Sequence, residues 1–198
     1  MKELDQLTTE AKEHSREVQR LVQLLTAEQF GWRPREKQWS VGEHIDHLSR
    51  TTRRYARAIR VALHNARKHG LTGGGPFRRS LFGTWFARSL EPPVRIRVKT
   101  LPMLKPDRGL PAAQLLAEFT LAQEIFIAAV REAEGVDIGR ATMRSPFVSI
   151  LKLTIGEALE AVLAHNRRHL WHINRVLNDP RFKNLTVIPA TAELMRDD

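Results

Sequence analysis

The chain has no cysteine among its 198 residues. This excludes a disulfide scaffold, thiolate-ligated zinc, an iron–sulfur cluster and a cysteine nucleophile together. No uninterrupted apolar run approaches the ~18–20 residues that a membrane span needs. The opening residues, Met1 to Gln6, are amphipathic and acidic and lack the apolar stretch of a signal peptide. A cytoplasmic protein with no membrane partner is expected. Acidic residues are scarce in the middle of the chain. Residues 50–108 hold 15 Lys/Arg against Glu91 and Asp107, a local balance of +13 in a chain of net charge +10. Such a stretch attracts nucleic acid, an anionic lipid surface or an acidic small molecule, and it equally describes a solvated arginine-rich helix face followed by a basic loop. The composition of the whole chain, 42% hydrophobic and 27% charged, is that of a globular domain long enough to bury a core without staples.

Periodicity organises the chain. Leu4, Leu7, Ala11, His14, Val18, Leu21 and Leu25 step by three and four, the seam of an amphipathic helix with one histidine in it. Residues 30–38, broken by Gly31 and Pro34, read as a loop. A second helix starts at the capping box Ser40-x-x-Glu43, in which each side chain satisfies an orphan backbone N–H of the other's position. Trp39 and His44 would close it as a staple, and it should end before Gly70. Gly73-Gly74-Gly75-Pro76 is a strong break; residues 81–90 suit a short helix, and Pro92, Pro93, Pro102 and Pro106 prevent anything long after it. A third helix starts near Pro111, buries Leu115, Phe119, Ala122, Phe126 and Val130, and stops at Gly135. Residues 136–153 read as irregular, with no convincing strand. A fourth helix opens at the capping box Thr154/Glu157 and runs towards Pro180, with Ala158, Val162, His165, His169, Ile173 and Val176 on its stripe and His172 close by. The expected fold is an all-α four-helix bundle over residues 1–180, with a basic irregular connection at about 70–110 and a tail at 181–198.

The histidines are the available metal ligands. His165 and His169, four apart, set their Cβ atoms about 5–6 Å apart on one helix face, a separation that suits chelation of one ion. They also replace apolar residues in the buried stripe, where an unpartnered imidazole is costly. A peptidase of the H-E-x-x-H type is excluded, because Asn166 stands where the general-base glutamate would be. A third ligand must come from another helix. His44 lies about 60° from the apolar line of the second helix and His47 about 120°, while the staple gives His44 a local role against Trp39. His14 is a further option, and His64 and His69 read as solvated.

Three motifs in order carry a resemblance. Phe30-x-Trp32-Arg33-Pro34, then Trp39-Ser40-Val41-Gly42-Glu43 leading to His47-Leu48, then Leu153-Thr154-Ile155-Gly156-Glu157 leading to His165-x-x-x-His169 with Ile173 behind it, resemble the DinB superfamily of DinB/YfiT-like metalloenzymes. The resemblance implies a bundle of up-down-down-up connectivity, often dimeric. It also implies a divalent metal, zinc or nickel with manganese or iron as alternatives, held by His47, His165 and His169. His172 falls where relatives carry glutamine or histidine, beside the metal or facing the substrate, and is the candidate catalytic group. The family includes enzymes that use a low-molecular-weight thiol, so the resemblance implies a small-molecule transferase or hydrolase. Arg50, Arg54 and Arg168 are candidate contacts for an acidic cofactor or substrate. The connection at 70–110 departs from shorter members of the family. The competing reading is a non-enzymatic module that binds nucleic acid through the basic stretch; no recognition-helix motif or aromatic platform supports it.

Overall fold

The computed structural model describes residues 2–73, 77, 79–94, 100–183 and 185. The chain is mostly helical: α1 (Lys2–Leu24), α2 (Ala27–Gly31), α3 (Val41–Lys68), α4 (Leu81–Leu90), a 3-10 turn (Pro102–Leu104), α5 (Ala112–Glu132), α6 (Ile155–Leu177) and α7 (Pro180–Lys183), with a two-stranded hairpin of β1 (Thr142–Arg144) and β2 (Lys152–Thr154). Of the Gly-Gly-Gly-Pro break, residues 74–76 lie outside the described residues, as do 95–99 of the basic connection and 186–198 of the expected tail.

Local chemistry sets the helix starts. Ser40 Oγ accepts from Glu43 N while the Glu43 carboxylate accepts from Ser40 N, and Thr154 and Glu157 repeat the exchange at α6. The other oxygen of Glu157 accepts from both the backbone N and the hydroxyl of Ser80, at 2.8 and 2.7 Å. One carboxylate therefore caps α6 and seats the start of α4 on it. Gly83 makes that seat possible, since a Cβ there would lie 2.0 Å from the Glu157 carboxylate. After α5, Gly135 adopts φ +74°, a conformation that ends a helix cheaply only for glycine.

Three expectations need correction. The segment around Phe30 is not simply loop: Thr26 and Gln29 form a further capping box, and the five residues of α2 bury Phe30 and Gln29. Residues 136–153 are not wholly irregular, because Thr142–Arg144 pairs antiparallel with Lys152–Thr154, and the facing Met143 and Leu153 point into the core. Strands of three residues are too short for a period-two pattern to register in sequence. Past Pro180 the chain folds back as α7, burying Phe182 with its ring edge-on to Trp32 at 5.6 Å.

The core falls into two clusters. One joins Leu4 and Ala11 of α1, Ala56, Ile59 and Leu63 of α3, Phe126 and Val130 of α5, and Ala158, Leu159 and Val162 of α6. The other joins Val18 and Leu21 of α1, Val41, Ile45 and Leu48 of α3, Leu115 and Phe119 of α5, and Ile173 and Val176 of α6. Between them each long helix contributes a buried polar residue: His14, Thr52, Gln123 and Asn166. Thr52 Oγ1 lies 3.4 Å from Asn166 Oδ1, whereas His14 Nδ1, Asn166 Nδ2 and both amide atoms of Gln123 have no partner among the described residues. α5 is long and apolar enough to cross a bilayer, with a mean hydropathy of 1.4 over its best window, and it commits Leu115, Phe119, Phe126 and Val130 to this core.

Phe126 is fully buried and Leu81 is 93% exposed. Urea denaturation should show Phe126→Ala losing about 3–5 kcal/mol through the cavity left behind. Leu81→Ala should stay within about 0.5 kcal/mol of the parent.

Candidate metal centre

α3 and α6 meet through their histidines. His47 of α3 and His165 and His169 of α6 present ligand nitrogens that all lie within 4.8 Å of one another. His47 Nε2 is 3.3 Å from His165 Nε2. Two imidazole nitrogens bound at about 2.0–2.1 Å to one tetrahedral ion stand about 3.3 Å apart, so this spacing suits a shared cation. The ring centroids of His165 and His169 are 4.5 Å apart, as four-residue spacing on a helix dictates, and each lies near His47, at 5.2 and 4.7 Å.

The far side of two rings is already engaged. His47 Nδ1 donates to the Leu104 carbonyl at 2.8 Å, which leaves Nε2 as its free lone pair. His169 Nδ1 is 2.9 Å from His44 Nδ1. With His169 Nε2 kept for a metal, His169 donates that bond and His44 accepts it. Partners of this kind fix tautomer and ring orientation in metal-binding histidines. Trp39, just before the α3 cap, closes one side: it meets His44 edge-on at 5.3 Å, tilts on His47 at 4.9 Å and stacks on His169 at 5.9 Å. The staple read from sequence is thus also a wall of the cluster.

Burial keeps the rings uncharged. It lowers the pKa of His47, drives His44 and His169 well below the ordinary imidazole value, and takes His165 to about 3, with repulsion from neighbouring histidines adding to the effect at His44, His165 and His169. Neutral imidazoles are the form that binds a metal. Donor type, spacing, tautomer and charge therefore all fit a divalent ion. His172 stands beside the cluster, its ring parallel to His44 at 5.5 Å, and burial with the nearby Arg168 and Arg175 charges lowers its pKa to about 4.

The remaining candidates separate. His14 lies on α1 near Glu10, at 3.6 Å, outside the cluster, and His64 and His69 are exposed. Arg50 is held by Asp46 and Asp107, Arg54 reaches Met103 Sδ, and Arg168 Nη1 donates to the Ser89 carbonyl at 3.1 Å. Several arginines of the basic stretch are paired rather than free: Arg53 with Glu118, Arg60 with Glu132, Arg79 with Glu160. Four charges of the +13 imbalance are thus met by acids outside the stretch: Asp46, Glu118, Glu132 and Glu160. Sequence reasoning missed the Leu104 carbonyl and the part His44 plays; the only signal was the i, i+3 spacing of His44 and His47.

Fold and site together define a helical protein with a buried three-histidine cluster able to hold a divalent cation. The family model described as the DinB superfamily matches residues 10–173, and the chain belongs to that superfamily. Comparison with curated proteins and with solved structures gives no match.

The depressed histidines set a pH dependence for the metal-free protein. Above pH 6.5 they are neutral in both folded and unfolded chains and cost nothing. As pH falls below 6.5 the unfolded chain takes up protons that the folded one refuses until about pH 4 at His14 and His172 and about pH 3 at His165. Stability should therefore drop through that window, by up to about 1.4 kcal/mol per pH unit for each histidine. Urea midpoints at pH 7 and pH 5 measure this, and equal midpoints would contradict it.

Proposed function

We propose that the protein is a metal-dependent enzyme of small-molecule chemistry, a thiol S-transferase or a hydrolase. The observation that carries this reading is the meeting of His47, His165 and His169 within ligand-bridging distance from two helices more than a hundred residues apart in sequence. Three protein ligands leave a coordination position open, as catalytic rather than structural sites do. Zinc or nickel suits the donor set best, with manganese or iron as alternatives. When bound, the ion lowers the pKa of a coordinated water or thiol and stabilises developing negative charge. The chain's own residues do the rest. His44 and the Leu104 carbonyl orient two of the ligands, and Trp39 keeps water off one side. His172, whose ring centroid lies 5.9 Å from that of His169 and which is uncharged at neutral pH, is the group assigned to accept a hydrogen bond from the incoming nucleophile. A thiol nucleophile must arrive with a cofactor, because the chain supplies none.

The same reading takes the four long helices as an up-down-down-up bundle. It is supported by the core clusters: the first halves of α1 and α6 share one cluster with the second halves of α3 and α5, and the other halves share the second.

Untagged protein should purify with near-stoichiometric divalent metal. His47→Ala, His165→Ala and His169→Ala should each lose it, while His14→Ala and His172→Ala should keep it, as read by elemental analysis. Parent protein that stays metal-free after incubation with zinc, nickel and manganese would sink the enzyme reading.

A further inference from the structure

The connection between α4 and α5 reaches the histidine cluster. Residues 101–107, which include the Pro102–Leu104 turn, cross α3 beside His47 and are fixed there at several points. Leu104 is buried, 6% exposed, and its carbonyl accepts from His47 Nδ1. Three residues on, the Asp107 backbone N–H donates to Asp46 Oδ2 at 2.8 Å. Arg50 ties the two sides together: its guanidinium meets Asp46 at 2.9 Å and also meets the Asp107 carboxylate. Arg54 Nη1 lies 3.1 Å from Met103 Sδ. Asp46, at 6% exposure, is adjacent to His47 in sequence and sits under the latch.

Resting on the metal-site reading above, we propose that residues 101–107 form a strap that positions His47 for metal binding, with the Leu104 carbonyl holding the ring in its Nδ1–H form and the Asp46–Arg50–Asp107 latch holding the strap. The physics is that of an outer partner to a metal-binding histidine. A carbonyl on Nδ1 directs the lone pair of Nε2 into the site, raises its basicity and removes the ring's freedom to flip or change tautomer before the ion arrives. The carbonyl can do this only if the strap is itself immobile, since a loop segment free to move would present its acceptor for a fraction of the time. The buried Leu104 side chain and the two-sided grip of Arg50 supply that immobility. α6 needs no such device, because His165 and His169 are placed by one helix and His169 is already bonded to His44.

The test is the double variant Leu104→Gly/Asp107→Ala, which removes the buried side-chain anchor of the strap and its carboxylate contact with Arg50 while leaving the Asp107 N–H bond to Asp46 and every histidine in place. Glu118→Gln, which removes a comparable surface ion pair with Arg53 further along α3, serves as control. In zinc titrations against a competing chelator, the double variant should bind about 10–100-fold more weakly than the parent, and the control should bind as the parent does. In metal-free protein, nitrogen-15 spectra of the imidazoles should show parent His47 as the Nδ1–H tautomer and the double variant as a mixture, with unchanged circular dichroism in both. Undiminished zinc affinity in the double variant, or parent His47 in the Nε2–H form, would overturn the proposal. Parent protein that binds no zinc yet shows the Nδ1–H tautomer lost in the double variant would overturn the metal reading and leave the positioning of His47 standing.

Discussion

The structure turns on a cluster of uncharged imidazoles enclosed between two helices. Five rings, His44, His47, His165, His169 and His172, lie within stacking distance of one another or of Trp39, with burial lowering the pKa of each. Packing that many polar rings against apolar neighbours is unfavourable unless their nitrogens are occupied. Three are occupied by protein: His47 Nδ1 at the Leu104 carbonyl, and the facing Nδ1 atoms of His44 and His169. The nitrogens that face one another in the middle of the cluster are left for a cation.

The surroundings follow from this. Both helices that carry the ligands start at capping boxes, so their N-termini are set by short-range chemistry rather than by the length of what precedes them. His47 sits two turns inside α3, where fraying does not reach. On the other side of α6, Glu157 secures α4, and Arg167 bridges Glu10 of α1 and Glu91 beyond α4. The helix bearing two of the three candidate ligands is thereby gripped from three sides. Such support is what a site needs if its ligands are to be in place before the ion binds.

Among the described residues, several arginines act as structural connectors. Arg33 pairs with the capping carboxylate Glu43, Arg50 joins the strap to α3, Arg53 and Arg60 link α3 to α5, and Arg79 links the segment before α4 to α6. Four positive charges of the basic stretch, at Arg50, Arg53, Arg60 and Arg79, are thus answered by acids that lie apart from them in sequence.

The amphipathic seams of α1, α3, α5 and α6, the boundaries set by Ser40, Thr154, Gly135 and Pro180, and the pairing of His165 with His169 are all short-range properties, and all are legible in the residues themselves. The Thr26/Gln29 capping box was equally legible, though a five-residue helix carries no periodicity to draw attention to it. The hairpin of β1 and β2 was not, since its pairing joins residues too few to show a pattern. Nor did spacing choose between His44 and His47: helical angle favoured the first and family likeness the second. Contact across α3 and α6 gives them different tasks, with His47 facing His165 and His44 bonded to the back of His169. The Leu104 carbonyl, a backbone atom 57 residues from His47, leaves no mark in side-chain identity at all. Local order was written into the sequence because capping and periodicity act over a few residues; the environment of each imidazole was decided only where distant segments came into contact.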